Sequence, residues 1–292
     1  MAKLLLSAFT DEYSRDVDTQ IRLCREHNIS YIEPRFVNDK NIANLSAAEA
    51  KELKKKLGDI KVSAIGSPLG KINLADDFDE HLEKAKRVFE TANILDTPNV
   101  RIFSFYLYPN KIRQECKSEV IEKLGQMIHL AKQYRVILCH ENEADIYGET
   151  PDNCLDILEV FKGDLRCVFD MGNFVLAGID PYKDAYSKLK KYIQYFHIKD
   201  ALAIGAVVPP GCGEGQIADI LKEYLSERKK DVMITLEPHL QTFDGLNALA
   251  NKTFDNPYKY ENQEEAFLDA LKKIRRIFTG HFNGNKKDLH QL

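Results

Sequence analysis

Short runs of apolar residues alternate along the chain with longer segments whose apolar positions repeat at helical spacing. The first run covers residues 3–9, and the segment after it, residues 16–27, places Val17, Ile21 and Cys24 on one helical face. The same pair of patterns recurs to the end of the chain. The apolar runs predict eight strands, at residues 3–9, 30–33, 61–66, 99–103, 136–140, 166–169, 192–198 and 232–236.

The segments between these runs predict helices that alternate with the strands. Ser46 and Glu49 have the spacing of a capping box, and Thr150 before Pro151 predicts an N-cap followed by proline at the first helical position. The expected helices cover residues 16–27, a segment from 46 onward, 79–93, 114–134, 151–161, a segment around 186, a segment from 216 onward and 261–278.

Eight strand–helix units predict parallel pairing and a closed (β/α)8 barrel. A doubly wound open sheet is the alternative α/β fold. It is less favoured, because the first strand-to-helix turn, residues 8–15, contains no glycine-rich phosphate loop.

The composition is that of an ordinary globular protein. The chain has 292 residues, of which 44% are hydrophobic and 29% are charged. One barrel uses about 250 residues, so we expect a single domain over residues 1–280 and a polar tail over residues 281–292. The formal net charge of −4 does not favour a nucleic-acid-binding protein.

The six cysteines include no C-x-x-C pair, which indicates reduced, structural thiols and fits a cytoplasmic location. The apolar run at residues 4–6 is too short for a signal peptide. No apolar stretch approaches the roughly 20 residues that span a membrane. We therefore expect a cytoplasmic protein without a membrane partner.

Polar residues mark the carboxyl ends of the predicted strands, where barrels of this kind place their active sites. Strands five to eight each end in a potential metal ligand: Glu141, Asp170, His197 and Glu237. Any one of them alone could be structural. Three carboxylates together would repel and raise each other's pKa values, and a divalent cation relieves that repulsion. Carboxylates with one imidazole suit Mn²⁺, Mg²⁺, Co²⁺ or Zn²⁺, so we expect one divalent metal ion.

Other polar residues at the strand ends are candidates for substrate binding. Side-chain alternation in residues 136–141 directs Glu141 into the barrel and His140 towards the helices, which favours a structural role for His140. For Glu143, a solvated loop role is as well supported as contact with substrate or Lys199. The candidate substrate-binding residues are Glu33, Arg35, Ser67, Lys71, Arg101, Asn173 and His239, although Lys71 could equally be a surface lysine.

Short motifs at the strand ends match a known family over nearly the whole chain. They are Ser-Ala-Phe-Thr-Asp-Glu at 7–12, Tyr-Ile-Glu at 31–33, Ser-Pro-Leu-Gly-Lys at 67–71, Arg-Ile-Phe-Ser-Phe at 101–105, His-Glu-Asn-Glu at 140–143, Phe-Asp-Met-Gly-Asn-Phe at 169–174, His-Ile-Lys-Asp at 197–200 and Leu-Glu-Pro-His at 236–239. With these motifs in this order, the chain resembles the xylose-isomerase-like TIM barrels, in particular the sugar phosphate isomerases and epimerases.

The resemblance implies a metal-dependent aldose–ketose isomerase or ketose epimerase that acts on a small sugar, a sugar phosphate or a polyol. It implies that the ion is held by Glu141, Asp170, His197 and Glu237. Glu141 and Glu237 would also exchange a proton with a hydroxy-ketone through an enediolate, which is general acid–base catalysis. Lys199 would stabilise charge on oxygen. Arg101 or Lys71 would bind a distal hydroxyl, carboxylate or phosphate.

Two departures limit what the resemblance implies. Asn173 stands where the ketose 3-epimerases carry a histidine that contacts substrate, so the sugar specificity is open. The chain also lacks the extra strand-end histidines of the three-zinc DNA-repair endonucleases on this fold, which argues against nucleic acid as a substrate. The alternatives are a metal-dependent dehydratase of a cyclic polyol ketone of the inosose type, and a non-catalytic sugar-binding barrel. The sequence is compatible with a homo-oligomer.

Three glycines, Gly211, Gly213 and Gly215, open the predicted seventh helix. Barrels often bind phosphate after strands seven and eight, at a helix N-terminus. Glu214 lies among the glycines and would oppose an anion, so a tight turn or a mobile lid is favoured over a phosphate cradle.

Overall fold

A ring of short parallel strands forms the centre of the molecule. The computed structural model describes residues 2–240 and 256–281, and within these ranges eight parallel strands alternate with helices. Four further strands form two small hairpins at loops. The strands are β1 (Leu4–Ala8), β2 (Tyr31–Ile32), β3 (Phe36–Val37), β4 (Lys40–Asn41), β5 (Lys61–Val62), β6 (Asn99–Ile102), β7 (Ile137–Glu141), β8 (Leu165–Asp170), β9 (Ile193–Ile198), β10 (Asp200–Ala201), β11 (Val207–Val208) and β12 (Val232–Leu236).

The helices follow the barrel strands in the predicted order. Ser46 and Glu49 form the expected capping box, and the Thr150 side chain accepts a hydrogen bond from the backbone N–H of Asn153 ahead of a helix that starts at Pro151. The helices are α1 (Val17–Glu26), α2 (Ala47–Leu57), α3 (Phe78–Ile94), α4 (Arg113–Tyr134), α5 (Pro151–Phe161), α6 (Met171–Leu176), α7 (Ser187–Leu189), α8 (Ile217–Ser226) and α9 (Gln263–His281), with a π-helical turn at Pro181–Tyr186.

Strand pairing closes the ring and excludes the open doubly wound sheet. One continuous sheet runs in the order β1-β12-β9-β8-β7-β6, and β2 pairs with β5. Two narrow seams join these sheets. At one seam the backbone N–H of Glu33 donates to the Ala8 carbonyl over 3.0 Å. At the other seam Ile65 bridges to Val100 of β6. The predicted (β/α)8 barrel is therefore confirmed.

Side-chain alternation separates the barrel interior from the layer between strands and helices. A small buried cluster of Ala64, Cys139, Val168 and Tyr195 fills the interior, and Ile137 packs against it. The larger core lies between the strands and the surrounding helices. Ile137 and Cys139 thus face inward, as the period-two pattern predicted.

Two predicted elements differ from the structure. The third strand was expected over residues 61–66, but its ladder covers only Lys61–Val62. Beyond it the backbone N–H of Ser63 still donates to the Ile32 carbonyl over 2.9 Å, and Ile65 bridges to Val100, so the pairing continues as single backbone contacts outside a regular ladder. The sixth helical segment is broken, because Gly178 adopts a left-handed φ of 73° after α6 and Asp180 caps a new turn.

All six cysteines lie within the described ranges and have free thiols, in agreement with the predicted reduced state. Among the helices that the structure describes, none is long and apolar enough to cross a membrane. The domain boundary at residue 280 stays a prediction. His281 is the last residue of α9, and the rest of the predicted tail, residues 282–292, lies outside the described residues.

The loop before α8 is built around one carboxylate. Asp200 accepts hydrogen bonds from the backbone N–H groups of Gly211, Gly213 and Gly215 over 2.8, 3.0 and 2.9 Å. A Cβ atom on Gly213 would lie 2.4 Å from the Ala201 carbonyl oxygen, so a side chain has no room there. The amides that could have held a phosphate are bound to the protein's own anion, which agrees with the tight turn favoured above.

We expect Asp200→Ala to destabilise the protein, because three amides lose a charged acceptor. Hydrogen bonds to charged groups contribute about 1.5–3 kcal/mol each in favourable cases. Because water can replace some of the three in the variant, we expect the free energy of unfolding to fall by about 3 kcal/mol in total. Urea unfolding measures the change. Glu214→Gln on the same loop is the control, and should stay within about 0.5 kcal/mol. Equal effects in both variants would contradict the role given to Asp200.

Candidate metal centre

Four side chains converge at the carboxyl ends of neighbouring strands. Glu141 ends β7, Asp170 ends β8, His197 lies in β9 and Glu237 follows β12. Each offers one ligand atom, these atoms all lie within 4.8 Å of one another, and all four residues are buried. The convergence follows from register, because Asp170 pairs directly with His197 in the ladder. The four ligands predicted from the sequence are thus brought together.

The imidazole of His197 has one nitrogen among the carboxylates. Its Nδ1 lies 3.0 Å from Oε1 of Glu141 and 3.1 Å from Oε2 of Glu237. Nδ1 is therefore the nitrogen that can serve as a metal ligand, and Nε2 points to the opposite side.

Glu33 holds the far side of the His197 ring. Its Oε2 lies 3.2 Å from Nε2 of His197 and accepts a hydrogen bond from Oγ1 of Thr235 over 2.8 Å. Its Oε1 accepts from the Tyr195 hydroxyl over 3.0 Å. Glu33 was expected to bind substrate, but its fully buried carboxylate is occupied by three protein groups. An alternating pattern of side chains gives no signal for such a contact between distant strands.

Lys199 contacts two of the four ligands. Its Nζ lies 3.1 Å from Oδ2 of Asp170 and 3.4 Å from Oε2 of Glu237, and it also donates to Oδ1 of Asn173 over 3.1 Å. Gly172 permits this position, because a Cβ atom there would lie 2.6 Å from Cγ of Lys199. Lys199 can therefore occupy this position only because residue 172, on α6, is a glycine.

Arg101 contacts Glu141, the carboxylate of the group that Lys199 does not contact. Its guanidinium NH1 lies 3.1 Å from Oε2 of Glu141 and 3.8 Å from Oε1 of Glu237. The Arg101 backbone carbonyl accepts a hydrogen bond from the Ser67 hydroxyl, and the Ser67 carbonyl accepts from the guanidinium over 3.4 Å. Buried Ser67 thus positions Arg101, although the sequence predicted substrate binding for it.

The protein's own charges shift the pKa values of the ligands in opposite directions. Burial alone would raise the pKa of Glu141, but the charges of His197 and Arg101 lower it to about 2. Burial raises the pKa of Asp170 to about 7, because Lys199 offsets only part of the desolvation. Burial would lower the pKa of His197, but its carboxylate neighbours raise it well above the ordinary value. The imidazole would thus carry the charge that a cation could supply.

The residues present fit a divalent cation. Oε2 of Glu141 is buried and receives no hydrogen bond from the described residues, although the Arg101 guanidinium lies nearby. Around the ligands, the buried carboxylates Glu33, Glu141, Asp170 and Glu237 are faced by two buried side-chain cations, Arg101 and Lys199. Two further positive charges would balance these groups if His197 is neutral, and three carboxylates with one imidazole suit a divalent metal.

Arg35 binds a second acidic group at the rim. Its guanidinium contacts Asp11, Glu12 and Glu237 over 2.9, 3.2 and 3.2 Å. Its NH1 also lies 3.1 Å from Nε2 of His239, whose side chain is 42% exposed. Arg35 and His239 were predicted site residues, whereas Asp11 and Glu12 were not. Both belong to the motif at residues 7–12, and that motif is the sequence feature from which they could have been predicted.

Lys71 and Glu143 form an ion pair at the mouth, with 2.9 Å between Nζ and Oε2. The Lys71 ammonium also lies 4.3 Å from the ring centroid of Phe103, and the Arg101 guanidinium lies 4.9 Å from the same centroid. Gly70, with a φ of +85°, lets the loop before Lys71 lie against Phe103, the residue after β6. A Cβ atom at residue 70 would be 2.0 Å from the Phe103 carbonyl oxygen. Lys71 thus pairs with Glu143 at the mouth, and its role in substrate binding stays a prediction.

Asn173 and Asn142 tie two strand ends together. Asn142, for which no role was predicted, exchanges two hydrogen bonds of 3.0 Å with the backbone of Asp170. Asn173 donates to the Asn142 carbonyl over 2.8 Å, and its backbone N–H donates to Oδ1 of Asp170 over 2.9 Å. Asn173 thus orients Asp170, and its role in substrate binding stays a prediction.

His140 lies outside the ligand group. It is fully buried, and its Nε2 is 2.9 Å from the Ser104 hydroxyl, which also accepts from the Gly148 backbone N–H over 2.7 Å. This contact agrees with the structural role predicted for His140.

Solved structures with the same fold cover nearly the whole chain. The zinc-bound IOLI protein superposes with a TM-score of 0.72 at 20% identity, over 96% of this chain and all of that one. D-Psicose 3-epimerase with D-tagatose from Clostridium cellulolyticum H10 gives 0.69 at 13% identity, over 94% and 99%. The probable 3-DHS dehydratase AsbF from Bacillus anthracis gives 0.66 at 18% identity, over 94% and 99%. At these identities the similarity shows the fold.

Among curated proteins, none matches this chain. A family model described as xylose isomerase-like TIM barrel matches residues 21–277, which is most of the sequence. This match spans α1 to α9 and includes all four residues of the ligand group. The chain therefore belongs to the xylose isomerase-like TIM barrel family.

Proposed function

We propose that the protein is a divalent-metal-dependent enzyme that isomerises or epimerises a small sugar, a sugar phosphate or a polyol ketone. The observation that carries this proposal is the buried group of Glu141, Asp170, His197 and Glu237, whose ligand atoms lie within 4.8 Å of one another. Similar solved structures include an epimerase and a dehydratase. They support an enzyme of the sugar isomerase, epimerase or related type.

The four ligands would hold one ion of Mn²⁺, Zn²⁺, Mg²⁺ or Co²⁺, with His197 binding through Nδ1. Structures of this fold with zinc or magnesium support a divalent ion without selecting one. When bound, such an ion supplies a Lewis acid that polarises a substrate carbonyl.

Glu141 and Glu237 are the proposed proton carriers. One carboxylate takes the proton from the carbon next to the carbonyl, the C–H electrons form the double bond of an enediolate, and negative charge develops on the carbonyl oxygen. The other glutamate, protonated from solvent before the reaction, gives its proton to carbon, and the first glutamate releases the abstracted proton to solvent afterwards. Return to the same carbon from the opposite face gives an epimer. Return to the neighbouring carbon, with a hydroxyl proton moving between the two oxygens, gives an isomer.

Lys199 is proposed to stabilise the charge that develops on oxygen. Its ammonium lies between Asp170 and Glu237, 3.1 and 3.4 Å from their carboxylate oxygens, and it is buried. A fixed cation in a buried site stabilises such charge without reorganisation during the reaction.

We further propose a cytoplasmic location, with neither nucleic acid nor a membrane as partner. A homo-oligomer is compatible with the sequence.

Proton exchange tests the reaction class. Metal-loaded protein is mixed with ketoses and inososes in deuterated water and followed by NMR. An isomerase or epimerase incorporates deuterium and forms product. A dehydratase shares the first proton abstraction but then loses water. A sugar-binding barrel binds without exchange, and that result would contradict the proposal.

We expect about one equivalent of divalent metal per chain after purification without chelator. Asp170→Ala together with His197→Ala should abolish this binding, because the variant removes one charged ligand and the imidazole. Elemental analysis measures the content. The matched control, Asp164→Ala with His129→Ala, changes an exposed aspartate and an exposed histidine and should keep it. Unchanged metal in the first variant would show that the ion binds elsewhere.

Glu33→Gln separates two roles for Glu33. If the carboxylate orients Nδ1 of His197, the variant should bind metal roughly 10- to 100-fold more weakly, the range for groups that support a ligand histidine. Calorimetric titration with Mn²⁺ measures this affinity, and circular dichroism checks the fold. Exposed Glu90→Gln serves as the control. If Glu33 binds substrate instead, KM rises and metal affinity does not change.

Glu141→Gln and Glu237→Gln should each slow the chemical step at saturating metal by about 10²-fold or more, the scale for losing a general acid–base group. The variant that lacks the abstracting base should show neither deuterium exchange nor product. The variant that lacks the returning acid can still exchange solvent deuterium into unreacted substrate. Turnover near the wild-type rate in both variants would remove the two glutamates as proton carriers.

A further inference from the structure

The cations around the ligand group are already bound to carboxylates of the protein. Around this group, each of four cationic side chains has a carboxylate oxygen within 3.1 Å. A cation that is hydrogen-bonded to a carboxylate offers less charge to an anionic ligand, because that ligand must also approach the carboxylate. The pairs are Arg35–Asp11, Lys71–Glu143, Arg101–Glu141 and Lys199–Asp170.

The charged groups of the interior support the same conclusion. Around the ligand group, the four buried carboxylates Glu33, Glu141, Asp170 and Glu237 outnumber the two buried cations Arg101 and Lys199. An uncharged substrate adds nothing to this negative charge. A phosphate ester would add about two negative charges at pH 7 beside the carboxylates.

The usual phosphate position of a barrel is occupied here. Phosphate sites often use the loop after strand seven and the start of the next helix. In this chain the Asp200 carboxylate binds the amides of Gly211, Gly213 and Gly215, and Gly215 lies just before α8. An anion at these amides would have to displace a carboxylate that is covalently part of the loop.

Lys71 and Glu143 remain accessible at the mouth, with side chains 33% and 25% exposed. Together they present hydrogen-bond donors and acceptors side by side, and a hydroxyl group can both donate and accept. Phe103, which contacts both Lys71 and Arg101, places the pair next to the ligand group.

We propose that the site selects an uncharged polyhydroxy ketone over its phosphate or carboxylate analogues, and that Lys71 and Glu143 bind the distal hydroxyl groups as a pair. This inference rests on the proposed function, which it narrows from sugars and sugar phosphates to neutral substrates. Glu143 acts as the discriminating residue, because its charge both neutralises Lys71 and repels an anion.

The first experiment compares neutral ketohexoses with their 6-phosphates in the deuterium exchange assay, using the metal-loaded full chain. Like-charge contacts cost several kcal/mol, so kcat/KM for the neutral sugar should exceed that for the ester by about 100-fold or more. Binding of a hexitol and of its 6-phosphate, measured by calorimetry, gives the same comparison without turnover.

The second experiment changes the charge of the pair. Glu143→Gln keeps the side-chain shape and frees the Lys71 ammonium, so the preference for the neutral sugar should fall by about 10-fold through better use of the phosphate ester. Metal content should not change. Asp164→Asn, which removes the acidic partner of the exposed pair Lys132–Asp164, is the control and should leave the preference unaltered.

The outcomes separate this inference from the proposed function. Faster exchange or tighter binding with the phosphate compounds overturns the neutral-substrate inference and leaves the enzyme class intact. An unchanged preference in Glu143→Gln overturns the role of the pair. If no compound exchanges but the hexitol binds better than its phosphate, the proposed reaction fails and the neutral specificity stands.

Discussion

Burial of like charges at one rim of the barrel is the constraint on which the rest of the site depends. Register brings three carboxylates and an imidazole to within 4.8 Å of one another, where water cannot screen them. The surrounding residues compensate for this. Arg101 and Lys199 bring positive charge to different carboxylates of the group, and Arg35 contacts Glu237 at the rim. The ring of Phe9 lies below both guanidinium groups, 4.6 Å from that of Arg35 and 5.1 Å from that of Arg101.

Small residues make this compensation possible. Lys199 could not reach Asp170 if Gly172 carried a side chain, and the loop that holds Lys71 could not lie on Phe103 without Gly70. The site therefore depends on Gly70 and Gly172, which have no side chain, as well as on its charged residues. Because each cation already contacts a carboxylate, these side chains lose little conformational freedom when a metal ion or a substrate binds.

Local sequence patterns account for the elements and for the main ligand group. Helical periodicity, Ser46 and Thr150 predicted helix starts, and the inward face of residues 137, 139 and 141 placed Glu141 in the barrel. Contacts between distant residues could not be predicted in this way. Glu33 and His197 are 164 positions apart, and their pairing depends on closure of the ring. The same holds for Arg35 with Glu237. The carboxylate of Asp200 among three glycine amides also depends on a loop geometry that composition alone does not define.

The two seams of the barrel have a consequence for how metal occupancy and stability are related. Glu33 lies at the seam between β1 and β2, where its backbone N–H bonds to Ala8. Its side chain reaches across the lumen to Tyr195, His197 and Thr235 on β9 and β12. Glu33 thus contacts both the seam and the His197 imidazole. If His197 binds the proposed ion, thermodynamic linkage would make the effect mutual: the ion would resist opening of the seam, and a loosened seam would weaken binding of the ion.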